Sequence, residues 1–258
     1  MADRAAPPPW PRDVARHILE QVDSTNAEAM RLAPSLTGPV WILARRQLAG
    51  RGRRGRAWAD PEGNFAATLL MRPEGGAAEA ALLSFVASLA LHDALQGLVG
   101  PTARLALKWP NDVLLNGGKL SGILLESVGP GGQVTALAIG IGVNLASCPA
   151  PAGLDSDALA PVSLLQETGL RLTPEDLLEQ LAPAFDHRLR QMRDHGFGVI
   201  RQAWLARAAR LGGTIIARTG QTRTEGRFDG VDESGALILT TARGRVLIPA
   251  ADIYFREG

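Results

Sequence analysis

Cysteine is almost missing from this chain: Cys148 is the only one in 258 residues. A lone thiol closes no internal disulfide, and no Cys/His spacing suggests structural zinc, so a reducing, cytoplasmic setting is expected. Excess charge of one sign is missing too. Lys and Arg total 27 against 26 Asp and Glu, a formal net charge of +1. A dedicated nucleic-acid binder carries a basic excess over a face or tail, so that class is disfavoured. The start MADRAAPPPWPRD lacks the apolar run of a signal peptide, and no stretch reads as the 18 or so apolar residues of a membrane span. The expectation is a soluble, intracellular protein with no membrane partner.

What is present is a large apolar fraction, 46% of residues, enough for one large domain or a large and a small one. The first ten residues are rich in Pro and Ala and read as a loose lead-in. Arg12 to Glu20 reads as a short helix. Ser24 or Thr25 could cap a second helix running through Glu28 and Met30, with Glu28 at capping-box distance from Thr25. PVWILARRQ and NFAATLLMRP read as strands because their apolar runs are short and β-rich. Ala77 to Leu98 reads as a helix too apolar for the surface, crossing behind a sheet. RLALKWPNDVLLNGGKLSGILLES reads as strand, Pro break, strand, a turn at Asn116-Gly117-Gly118, and strand. QVTALAIGIGVNLA supplies another strand. Helical patterns follow at Val162–Thr168, Pro174–Met192 and Phe197–Ala209. After Leu211 short β runs alternate with Gly, Asp and Ser, which reads as a small barrel. The expected domains are 1–210 and 211–258.

Two segments concentrate chemistry. In GRGRRGR, Gly50 to Arg56, four arginines are separated only by glycine and cannot pack into a core. Glycine lets backbone N–H groups approach an anion, and arginine forks bind phosphate or carboxylate bidentately. Phosphate binding, nucleic-acid binding and a merely solvated loop all fit this spacing. In KWPNDVLLNGGKLSGILLES, Lys108, Asn111, Asp112 and Lys119 are polar in an apolar, sheet-like setting, so they must pair or meet a ligand. An Asp beside phosphates suits Mg²⁺, and a lysine can offset a developing oxyanion. A self-satisfied Lys–Asp pair at a strand end fits equally. His92, His187 and His195 fall on helical segments with no nucleophile elbow nearby. Neither a Walker A sequence nor a Rossmann fingerprint is present, and GIGVN (Gly140–Asn144) is only a fragment of a glycine-rich loop.

DSTN (Asp23–Asn26), QLAGRGRRGRAW (Gln47–Trp58), KWPNDVLLNGGKLSGILLE (Lys108–Glu126) and GIGVN together resemble the biotin–protein ligases, over residues 15 to 145 or so. The resemblance implies an α+β catalytic domain: a mixed sheet flanked by helices, like class II aminoacyl-tRNA synthetases and lipoate ligases. It also implies an SH3-like C-terminal β-barrel. It implies that biotin and ATP react to give biotinyl-5′-AMP, and that a lysine of a biotin carboxyl carrier protein domain then takes the biotinyl group. By position, Ser24, Thr25, Asn26, Gln47, Arg51, Gly52 and Arg53 match biotin contacts, Arg53 also serving to retain the adenylate. Lys119 matches the lysine near the biotin carboxylate and the α-phosphate. Arg53, Arg54, Arg56, Trp58, Asn111 and Asn144 match the nucleotide side, and Asp112 is the Mg²⁺ candidate, directly or through water. Longer members carry a helix-turn-helix domain; about 20 residues before DSTN leave no recognition helix, so no DNA partner is expected. A homodimer is left open. A lipoate ligase is the nearest enzyme alternative, and an arginine-loop RNA binder the alternative of another class.

Overall fold

The computed structural model describes residues 8–100, 103–130, 133–150, 159–220 and 222–255. The chain departs from expectation at its first element: Ala15–Leu19 is a strand, β1, and not part of a helix. ARHIL has no decisive periodicity of its own. Parallel pairing with Val40–Ala44, β2, sets its conformation, Ala15 lying opposite Val40 and Leu19 opposite Ala44. His17 therefore sits on a strand. Between them, Thr25–Leu32 forms α1 with Ser24 at the N-cap, but no side chain caps it. Thr25 is committed elsewhere, as described below.

Phe65–Met71 forms β3, all seven residues buried, as a run apolar but for Thr68 predicts for a strand covered on both faces. Ala77–Val99 is α2, which corrects the expectation about membrane spans. It has 23 residues and an 18-residue window of mean hydropathy 1.5, long and apolar enough to cross a membrane. Most of it is instead buried in the fold, packed on α4 and α5 (below) and behind the sheet. Leu105–Lys108, Asp112–Leu115 and Gly118–Val128 are β4, β5 and β6. Asn116 and Gly117 both have positive φ, 50° and 91°, as a tight hairpin turn between β5 and β6 requires. Ala136–Val143 is β7.

These strands make one mixed sheet in the order β1-β2-β3-β7-β6-β5-β4, parallel only at β1/β2. The helices α3 (Leu164–Thr168), α4 (Pro174–His195) and α5 (Phe197–Leu205) follow. α4 has the capping box Thr173/Asp176 and Pro174 in its first turn. The main core lies between the sheet and the layer of α2, α4 and α5, where Phe85 meets Phe197 and Trp204 edge-on at 5.3 Å. Truncating a fully buried Leu89 there costs about 2–5 kcal/mol. A smaller core on the opposite face seats α1 through Ala29 and Ala33 on Ile42, Leu70 and Ala138.

Thr214–Thr219, Thr222–Val231, Leu237–Thr241, Gly244–Ile248 and Asp252–Phe255 are β8 to β12, an antiparallel sheet in the order β11-β10-β9-β8-β12. The segment leading into it is held to β4 by Leu107, which exchanges main-chain hydrogen bonds with Arg207 and Ala209, and the sheet itself is held by the Trp109 indole, which donates to the Gly235 carbonyl at 3.0 Å. This seam brings β12 beside the arginine segment.

Candidate active site

The arginine segment is folded as a small hairpin. Gly52 N–H donates to Arg56 O at 2.7 Å, Trp58 N–H donates to Gly50 O at 2.9 Å, and Arg51 pairs with Ala57. Arg54 and Gly55 turn the chain at φ 58° and 71°. A Cβ on Gly50 would fall 2.7 Å from Trp58 O, so only glycine allows the two limbs to come this close.

This hairpin walls a cleft of about 540 Å³. Ser24, Thr25, Asn26, Gln47, Arg51, Gly52, Arg53, Arg56, Trp58, Asn111, Asp112, Lys119 and Asn144 all line it, as do Lys108 and, from β12, Asp252 and Tyr254. Of the residues expected at the site, Arg54 alone stands off the lining, reaching Asp252 instead at 3.2 Å. Three glycines make the floor. A Cβ on Gly122 or Gly142 would meet the Trp58 ring at 3.2 and 2.6 Å, and one on Gly140 would meet Asn26 Oδ1 at 2.2 Å. GIGVN is thus a strand whose glycines make room for the Trp58 ring and the Asn26 amide.

One end of the cleft is built of neutral groups. Gln47 Oε1 accepts from Thr25 N–H at 2.8 Å and lies 3.1 Å from its hydroxyl. Thr68, on β3, contacts Thr25 Oγ1 at 2.8 Å and Asn26 Oδ1 at 2.7 Å. Each hydroxyl has one proton and an amide oxygen only accepts, so Thr68 donates to Asn26 and receives from Thr25. Asn26 Nδ2 donates to Glu126 Oε2 at 2.7 Å and Leu124 O at 3.3 Å, so both ends of its amide are engaged. Asn26 is a brace in this arrangement. Glu126 also holds Arg51 at 3.3 Å. Thr68 and Glu126 were not singled out in the sequence, although Thr68 is the one polar residue in the run FAATLLM.

The other end is ionic. Lys108 ends β4 and Asp112 begins β5 directly opposite, while Lys119 comes from β6. Asp112 accepts from Lys119 Nζ at 2.7 Å and from Lys108 Nζ at 3.3 Å. Burial alone raises a carboxyl's pKa, but the two ammonium groups hold Asp112 below its ordinary value. Lys108 is pushed down by burial, against the pull of Asp112. Across from them Asp252 gathers the loop: Arg56 at 3.0 Å, Arg54 at 3.2 Å and Arg53 at 4.0 Å. Burial pushes Arg53 down, with Asp252 and Asp112 opposing. Asn144 leaves Oδ1 buried without a hydrogen-bond partner, an acceptor ready for a ligand donor.

Asp112 is expected to hold Mg²⁺ directly or through water, and its surroundings do not fit the direct form of that role. Each of its oxygens already faces an ammonium group, and a dication placed there would meet two cations. Among the described residues no group of three His, Cys, Asp or Glu side chains could hold a metal ion.

Comparison with known proteins bears on the family that the sequence resembles. The profile of the Biotin/lipoate A/B protein ligase family matches residues 18–144, and that of the Biotin protein ligase C terminal domain matches 211–256. The chain is 60% identical to the biotin–[acetyl-CoA-carboxylase] ligase of Paracoccus denitrificans, over 92% of this chain and 99% of that one. It is 30% identical to the bifunctional ligase/repressor of Escherichia coli, over 86% of this chain and 68% of that one. The biotin protein ligase of Aquifex aeolicus, solved with biotin and ATP, superposes with a TM-score of 0.78 at 25% identity, over 95% of this chain and 99% of that one. The fold, the cleft and these relatives together establish that the chain belongs to the biotin protein ligase family.

Proposed function

We propose that this cleft joins biotin to ATP and then to protein, in a cytoplasmic enzyme. A biotin carboxylate oxygen attacks the α-phosphorus of ATP, pyrophosphate leaves, and biotinyl-5′-AMP stays bound. The amine of one lysine on a biotin carboxyl carrier domain, that of an acetyl-CoA carboxylase, then attacks the anhydride carbonyl. AMP leaves and the amine gives up its proton.

The neutral end takes the bicyclic ring of biotin. Its ureido group is both donor and acceptor, matched by Ser24, Thr25 and the Gln47 amide over the glycine floor. Lys119 lies at the junction, where the biotin carboxylate and the α-phosphate meet, and offsets the charge that grows in the transition state. Lys108 and Asp112 hold that ammonium in place. Arg53, Arg54 and Arg56 serve the phosphates, exchanging Asp252 for the nucleotide, and Trp58, Asn111 and Asn144 lie beside it. Magnesium enters as the chelate of ATP and not as a guest of Asp112. Closed over the adenylate, the hairpin keeps water from a labile anhydride.

The observation that carries this reading is the meeting of a neutral hydrogen-bonding slot and a cluster of five cations (Arg53, Arg54, Arg56, Lys108 and Lys119) around one glycine-floored cleft. Purified protein, ATP, Mg²⁺ and a carboxylase carrier domain should incorporate biotin and not lipoate. Lipoate transfer in preference to biotin, or retention of RNA without ATP turnover, would overturn it.

A further inference from the structure

Asp60 lies outside every motif considered so far. It follows the arginine hairpin, two residues after Trp58, and its Oδ2 accepts the backbone N–H of Gln47 at 3.1 Å. Its Oδ1 is buried with no hydrogen-bond partner among the described residues. A half-buried carboxylate with one buried oxygen unsatisfied is costly, so the fold keeps it against a local penalty. What it holds is the residue that faces the ring end of the cleft. The carbonyl end of the Gln47 amide is fixed by Thr25 at 2.8 Å, and the backbone end is fixed by Asp60. Held at its backbone N–H by Asp60 and at its amide carbonyl by Thr25, with its amide N–H also drawn to Asp60, Gln47 is fixed in one orientation at the cleft.

We infer that Asp60 is a positioning residue for biotin, acting through Gln47, and that its protonation loosens the ring end of the cleft. The inference rests on the biotin reading above. Burial raises the Asp60 carboxyl to about 6, with the backbone and side-chain N–H groups of Gln47 pulling the other way. No charged group shares in that shift. The charges on neighbouring segments are engaged elsewhere: Arg45 with Glu20 and Glu175, Asp23 with Arg31, and Arg51 with Glu126. Arg46 and Glu62 are exposed. A neutral carboxyl accepts more weakly than a carboxylate, so the grip on Gln47 slackens as pH falls through about 6.

The test is biotin binding by calorimetry without ATP, from pH 5 to 8, on the full chain and on Asp60→Asn and Asp60→Ala. Wild type should bind roughly tenfold more weakly at pH 5 than at pH 7.5. Asp60→Asn, which keeps an acceptor for Gln47 but cannot titrate, should flatten that profile. Asp60→Ala should bind roughly tenfold more weakly at every pH, with KM for biotin raised and kcat for adenylate formation within about twofold. A wild-type profile that Asp60→Asn does not change overturns the inference and leaves the biotin reading standing. Protein that binds no biotin at any pH overturns both.

Discussion

The two ends of the cleft are built differently. The ring end draws on α1, β3, β6 and the segment after β2, and its groups satisfy one another through neutral hydrogen bonds at 2.7–3.3 Å, with the ionic Glu126–Arg51 contact at its margin. The phosphate end draws on a hairpin and on two separate sheets, and its cations are paired with Asp112 and Asp252. A neutral slot needs a preformed shape, because its specificity is geometric. An ionic end needs charges that stay solvated or paired without substrate, because a bare buried cation is costly. Asp252 keeps three arginines together, and in the proposed function phosphate competes for them.

If the ends work separately, damage at one should leave the other intact. The largest effect falls on Lys119→Ala, which removes the ammonium at the junction and leaves Asp112 with Lys108 alone. Adenylate formation should slow by about 10²–10³-fold in single-turnover pyrophosphate release, with biotin binding changed far less. Next, Arg53→Gly should still form biotinyl-AMP but release it, so that bystander proteins become labelled; no excess of free adenylate over wild type would contradict the retention role. Asp252→Ala should raise KM for ATP roughly tenfold while biotin affinity stays within about twofold. Equal losses for both substrates would end the idea of separate ends. The smallest effect is on stability. The Asp60 carboxyl is raised to about 6 from 3.8, so its favourable contribution is full below 3.8 and lost as pH rises through about 6. Asp60→Asn should therefore raise Tm at pH 7.5 by about 2–4 °C, by about half as much at pH 5, and little below pH 3.8.

The same contrast explains what could be read from sequence. The buried strands β2, β3 and β7 and the hairpin turn at Asn116-Gly117 announce themselves by apolar runs and turn chemistry. The edge strand β1 does not, because ARHIL takes its conformation from pairing with β2 alone. Thr25 reads as half of a capping box with Glu28, but its hydroxyl donates to Thr68 and its backbone N–H to Gln47 across the fold. Motif matching collected the residues around the cleft and assigned Asp112 to a metal. Only coordinates show both its oxygens taken by lysines. Asp252 was beyond reach for a plainer reason: 196 residues separate it from Arg56, and nothing in DIYF marks an arginine anchor.

The most direct test of the account omits the carrier protein. Protein incubated with biotin, Mg²⁺ and ATP labelled at the α-phosphate should accumulate one bound biotinyl-5′-AMP per active site, with an equal amount of pyrophosphate, and Lys119→Ala should show almost none in the same time. Pyrophosphate release that does not depend on biotin, or adenylate formed equally well without Lys119, would contradict it.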